Sequence, residues 1–270
     1  ETFPARQKTI QRKVRERMYE MDLLDNTEDV NRLLARYGVK FGIYKNNTFK
    51  EQLFPFDAIP RVIRKEEFDY LERGLKQRVM ALNLFLDDIY HDKKIVRDQV
   101  IPEDFIFASS GYMPACEGVT PVKRIYAHIS GIDLVKGKDG EWYILEDNLR
   151  VPSGASYPMI ARELCRRSSP KTFRDNQLED NRNYAQAMDT VNVEGHTVIL
   201  TPGRYNAAYF EHSYLAEKTG AHLVNGSELT VENDRLFYVD YKGKKERVGA
   251  VYRRISDEYL DPMHFNPESV

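Results

Sequence analysis

YILEDNLRVPSG, running from Tyr143 to Gly154, is the stretch on which the reading of this chain turns. Its first three residues have the apolar, β-branched and aromatic character of a strand end. Glu146, Asp147, Asn148 and Arg150 then follow, before Pro152, Ser153 and Gly154 close a turn. Side chains two apart on a strand point to the same face, so Glu146 and Asn148 stand side by side. A carboxylate and an amide oxygen together begin a hard-oxygen site of the kind Mg²⁺ takes. The plainer alternative is a surface strand end whose acids pair with nearby lysines and arginines.

The residues before this stretch supply a third oxygen ligand. KRIYAHISGIDLV and EWYILEDN flank GKDG, which predicts a β-hairpin. A four-residue loop from Gly137 to Gly140 pairs Lys136 with Glu141 and sets Asp133 opposite Ile144. Asp133 then shares a face with Glu146 and Asn148, with Asp133 and Glu146 as diagonal neighbours about 7–8 Å apart. A slip of one residue would turn Asp133 to the other face. Beyond the strand, the Arg150 guanidinium suits a phosphate oxygen, which it grips with a two-pronged fork. VPSGASYP offers the hydroxyls of Ser153 and Ser156, and an open backbone at Gly154 that a ligand can approach. An ordinary Pro/Ser/Gly turn is the alternative there.

Further along, TVILT reads as a buried strand and PGRYN as a turn. NAAYFEHSYLAEKTG reads as a helix stopped by Gly220, and AHLV as a second strand. This is a βαβ-like unit. Asn206 falls near the helix start, where free amides favour an anion such as a substrate carboxylate, or where the residue is simply an N-cap. Arg204, Tyr205, Glu211 and His212 are further contacts within reach, although a histidine inside a helix is more often packed or at the surface. RLFYVD and RVGAVYRR read as strands. Residues 40–54 read as two short strands. Residues 66–90 form an amphipathic helix whose stripe (Phe68, Leu71, Leu75, Val79, Leu82, Leu86, Ile89) is assigned to the core. A basic helix over 6–24 is interleaved with Glu16 and Glu20, which favours a solvated face over a surface for RNA or an acidic partner. A composition shift near Ser168–Pro170 suggests a boundary between residues 1–168 and 169–270.

Composition narrows the function classes. The 270 residues carry a net charge of −2, so the overall field selects no polyanionic partner. No apolar run nears the ~20 residues of a membrane span, and the first residues lack the apolar stretch of a signal peptide. Cys116 and Cys165 form neither a zinc pattern nor a disulfide framework, which fits a reducing, cytoplasmic setting. The P-loop, the dinucleotide fingerprint, the nucleophile elbow and HExxH are all absent from the sequence.

Four segments carry a resemblance: GVTPVKRIYAHISGIDLV, WYILEDNLRVPSGASY, LTPGRYNAAYFEHSYLA and VYRRISDEYLDP. With QRVMALNLFLDDIYHD and FDAIPRVI, they resemble the circularly permuted ATP-grasp proteins, often labelled glutathionylspermidine synthase-like. The resemblance covers most of residues 40–265. It implies an α/β (α+β) fold with an inserted Rossmann-like substrate domain from about residue 195. It also implies ATP and Mg²⁺ as cofactors, with the metal on Asp133, Glu146 and Asn148. Arg150 would act in catalysis and, with Ser153 and Gly154, meet the nucleotide. Ser156, Arg204, Tyr205 and Asn206 would seat substrate. The implied activity joins a small-molecule or peptide carboxylate to an amine through an acyl phosphate. The alternatives are a non-catalytic nucleotide-binding or scaffold protein on the same fold, and an ATP-grasp phosphotransferase. The family continues past the equivalent of Val270 with a glycine-rich segment and a lysine expected at ATP, so the rest of the clamp is expected beyond this sequence.

Overall fold

The computed structural model describes residues 12, 23–46, 48–56, 61–168, 170–175, 178–181, 183–188 and 194–269. Most of the basic helix expected over 6–24 lies outside them, as do Asn47 and Asp57–Pro60. The chain divides into two compact units, Val62–Pro152 and the combination of Glu1–Arg61 with Ser153–Val270. The breaks therefore fall at 61/62 and 152/153, not at the composition shift near Ser168–Pro170.

The Val62–Pro152 unit is built on one long helix, α2 (Lys65–Tyr90), and the hairpin of β3 (Gly131–Lys136) and β4 (Trp142–Asn148). Two short helices, α3 (Lys94–Arg97) and α4 (Glu103–Phe107), follow α2. The apolar stripe of α2 is only partly covered. Leu71, Leu75, Val79, Leu82 and Leu86 are half-buried and Ile89 is buried, whereas Phe68 is 55% exposed and does not belong to the core. Polar contacts do much of the fastening here. Asn83 Oδ1 accepts the backbone N–H groups of Tyr126 (2.8 Å) and Ala127 (3.0 Å). Buried Glu67 accepts from the indole N–H of Trp142 (2.8 Å) and the ammonium of Lys136. Arg78 grips Asp147 with a two-pronged ion pair whose Nε–Oδ1 distance is 2.7 Å. Glu67 and Arg78 are three helical turns apart, so one face of α2 holds both ends of β4.

In the other unit, α1 (Leu23–Arg36) packs on α5 (Ser156–Ser168) through Val30, Leu34, Ile160 and Leu164, and Val39, just before the first strand, joins the same cluster. The strands β1 (Lys40–Lys45) and β2 (Thr48–Leu53) pair as expected. Two short helices, α6 (Pro170–Asp175) and α7 (Asn183–Ala187), follow α5. The centre of the unit is a five-stranded sheet in the order β6-β5-β9-β8-β7. It comprises β5 (His196–Leu200), β6 (His222–Val224), β7 (Leu229–Glu232), β8 (Arg235–Val239) and β9 (Lys245–Arg253). The three strands β6, β5 and β9 run parallel, while β8 and β7 turn antiparallel. The βαβ-like unit forms through α8 (Tyr209–Thr219), which ends at Gly220 in the left-handed region (φ 73°). Val198, Leu200, Val224 and Val248 line one face of the sheet. Ile199 packs on the opposite face with Leu215 and Ala216 of α8.

Candidate functional site

The hairpin brings Asp133, Glu146 and Asn148 onto one face by a different register from the one expected. The loop spans five residues, with Lys136 opposite Trp142 and the Gly137 N–H donating to the Glu141 carbonyl at 2.8 Å. Continued regularly, that register would set Asp133 opposite Leu145, on the wrong face. A β-bulge between Asp133 and Leu134 takes up Leu145 and sets Asp133 directly opposite Glu146. Directly opposed side chains start about 4.5–5.5 Å apart at Cβ, closer than the expected diagonal. Asn148 Nδ2 donates to Asp133 Oδ2 at 3.2 Å, so the amide and the carboxylate already meet. Asp133 and Glu146 are exposed and Asn148 is half-buried, leaving carboxylate oxygens open for a cation.

The opening stretch thus divides by face. Glu146 and Asn148 turn toward Asp133. Asp147 turns the other way, where its hydrogen bond to Arg78 holds its carboxyl below the usual carboxylate range. Arg150 is exposed. Gly131, at the start of β3, has no room for a side chain: a Cβ there would lie 2.9 Å from Pro152 Cβ.

The Ser153–Ser156 turn is held from beneath by Glu211, which the sequence offered as a further contact near the helix start and not as a support. Glu211, 1% exposed on α8, accepts the backbone N–H of Gly154 (2.8 Å), the N–H of Ser156 (2.9 Å) and the Ser156 hydroxyl (2.9 Å). Ser156 is fully buried, so its hydroxyl anchors the turn. Ser153 is exposed, and Gly154 has a φ of 110°, a conformation that favours glycine. Behind Glu211 lies Arg254, also buried, with Nη2 3.7 Å from Glu211 Oε1. His212 is buried beside them, its Nδ1 2.8 Å from Thr201 Oγ1. Burial first, and then the charge of Arg254, push His212 down to about 3, so it is neutral across the ordinary pH range. His212 is a packed histidine, not an exposed contact.

Arg204 and Tyr205 lie in the loop at the carboxyl end of β5, where ligands of open α/β sheets commonly bind. With Thr201, Pro202, Leu223 and Asn225 they line a cavity of about 370 Å³. Tyr205 is 72% exposed and meets Phe49 edge-on. Asn206 does not join this group. The helix begins at Tyr209, three residues later than expected, and Asn206 Oδ1 accepts the Ala208 N–H (2.9 Å). Asn206 lines a separate cavity of about 920 Å³ with residues of β1, α5 and α8.

No signal in the sequence marked Glu211 or Arg254 as the support of the turn. Helical spacing presents Glu211 as an ordinary helix acid, and its partners Gly154, Ser156 and Arg254 lie 57, 55 and 43 positions away in the chain.

A model of the family described as a circularly permuted ATP-grasp matches residues 60–270. An uncharacterised protein of Synechocystis sp. is 41% identical over 245 residues, covering 88% of this chain and 51% of its own length. A Frankia alni protein provisionally named a glutamate–cysteine ligase is 36% identical over 233 residues, covering 83% of this chain but 27% of its own. Among solved structures, the glutathione synthetase-like effector of Globodera pallida, in its apo form, aligns with a TM-score of 0.52 at 14% identity. That alignment covers 87% of this chain and 58% of the effector, and the likeness is one of fold. The chain spans about half the length of the Synechocystis relative. With its match running over residues 60–270, the chain belongs to the circularly permuted ATP-grasp family.

Proposed function

We propose that this protein is an ATP- and Mg²⁺-dependent ligase that joins a carboxylate to an amine. The observation that carries the reading is the convergence of Asp133, Glu146 and Asn148 on one hairpin face in a member of this family. Two carboxylates and an amide oxygen are a hard donor set that fits Mg²⁺, which would supply counter-charge to the phosphates. Arg150 neutralises charge on the transferred phosphoryl group, and exposed Ser153, with the space left beside Gly154 by its missing side chain, meets the nucleotide. Glu211 fixes that turn through Gly154 and Ser156. Arg204 and Tyr205 hold the substrate carboxylate, and Asn206 shapes the loop that carries them.

In the first step a carboxylate oxygen attacks the γ-phosphorus of ATP, the bond from that phosphorus to the β–γ bridging oxygen breaks, and ADP leaves. The amine nitrogen then attacks the acyl carbon, its proton passes to solvent, and phosphate departs. Positioning and charge neutralisation supply the acceleration. The domain carrying β5–β9 would act as a Rossmann-like substrate module. The ligase name of the Frankia relative, matched over 27% of its length, is in line with this bond type.

The test is calorimetric binding of a non-hydrolysable ATP analogue, with and without Mg²⁺, to the whole gene product. Mg²⁺-dependent binding that is lost in Glu146→Gln supports the site. An absence of nucleotide binding by folded protein would replace the ligase with a scaffold on the same fold. Release of ADP and phosphate only when acid and amine are both present distinguishes ligation from phosphotransfer.

A further inference from the structure

The face of the sheet lined by Val198, Val224 and Val248 changes character at one end. Two residues before each of these valines stands a metal-ligand type: His196 before Val198, His222 before Val224 and Glu246 before Val248. Because β6, β5 and β9 are adjacent and parallel, this offset places the three side chains together on one face, at the amino ends of their strands. The Arg204–Tyr205 loop leaves the opposite, carboxyl end of β5.

One ligand atom from each of the three lies within 4.8 Å of the others. His196 Nε2 is 3.5 Å and His222 Nε2 is 3.9 Å from the same oxygen, Glu246 Oε2. Ligands held 2.0–2.1 Å from a tetrahedral ion stand roughly 3.3 Å apart, so small side-chain rotations would close the set. The neighbours already orient two of the three. Lys244 Nζ holds the other carboxylate oxygen, Oε1, at 2.5 Å, leaving Oε2 toward the imidazoles. Tyr238 stacks on the His222 ring with centroids 4.8 Å apart. Two imidazoles and one carboxylate are a borderline donor set that suits Zn²⁺ and not Mg²⁺.

We propose that His196, His222 and Glu246 bind a zinc-class divalent cation, with a coordination position left for water or an outside ligand. The ion ties the amino ends of three strands together, so its binding raises the melting temperature of the folded protein by mass action.

Zn²⁺ alone is titrated calorimetrically into metal-free protein, and Co²⁺ absorption in the visible reports the coordination geometry. The expected result is one ion per chain, tetrahedral Co²⁺ bands and a raised melting temperature. His196→Gln and His222→Gln should each weaken binding at least about tenfold. His196 is exposed and His222 half-buried, both at strand starts, and circular dichroism checks that each variant keeps the fold. Glu146→Gln should leave Zn²⁺ binding unchanged, which separates this site from the proposed nucleotide site. The proposal is overturned if no stoichiometric binding occurs, or if the His196→Gln/His222→Gln double variant binds Zn²⁺ as the parent does.

Discussion

Two clusters of polar residues in this protein each hold a glutamate, in opposite surroundings. On the hairpin, Asp133 and Glu146 stand exposed beside the half-buried Asn148. Around α8, Glu211, His212, Thr201 and Arg254 are each less than 5% exposed. A buried charge must be paired and hydrogen-bonded where it stands, which makes the α8 cluster a support. An exposed carboxylate pair with open oxygens has no such duty and can exchange water for a ligand. A glutamate stands in each cluster, and accessibility decides what it can do.

The sharpest way to break this contrast is Glu211→Ala. It removes the acceptor of two backbone N–H groups and one hydroxyl and leaves Arg254 without its facing carboxylate, which should cost about 3–5 kcal/mol in urea denaturation. A smaller loss is expected for Glu67→Gln, which keeps an acceptor for Trp142 but removes the charge facing Lys136. A cost of about 1.5–3 kcal/mol would fit a buried charge-assisted contact.

His212 gives a pH signature. Its folded pKa of about 3 lies below the ordinary 6.5, so the unfolded chain binds a proton that the folded chain refuses. Stability is therefore fully present above about 6.5 and falls as pH drops toward about 3. The contribution should be at most about 1.4 kcal/mol per pH unit. Denaturation across that window should show the slope, and His212→Gln should flatten it.

The smallest effect sharpens the contrast from the other side. Glu146→Gln should change stability by no more than about 0.5 kcal/mol, since the side chain is exposed, while abolishing Mg²⁺-dependent nucleotide binding. A Glu146→Gln protein destabilised as much as Glu211→Ala would show that the hairpin acids are structural after all.

The sequence carried the local elements well, because period and punctuation are local. The two β1–β2 strands, the helix over Lys65–Tyr90 and the stop at Gly220 all form. The face shared by Asp133 and Glu146 was read correctly through a wrong register. The expected and observed pairings there differ by two residues, and alternation on a strand repeats every two. The bulge at Leu145 left no mark, since an extra residue in a strand has no distinctive composition. Nor did the His196–His222–Glu246 set show itself, because its members come together only once three strands lie in register. Phe68 stands outside the core because spacing in the helix stripe sets which side a residue faces, not what covers that side.

The hairpin's fastening to α2 also bears on which changes of length the family can accept. Glu67 and Arg78 are eleven positions apart, which along a helix is about 16 Å. Their partners Trp142 and Asp147 are five positions apart, which is at most about 17 Å along a strand and less across the bulge at Leu145. Each element fixes the spacing of its two grips. One residue inserted between Glu67 and Arg78 would rotate the second grip by about 100° and release it. That stretch of helix should therefore accept many substitutions but no insertion or deletion, whereas the Gly137–Glu141 loop beyond the last fastening is free to vary in length.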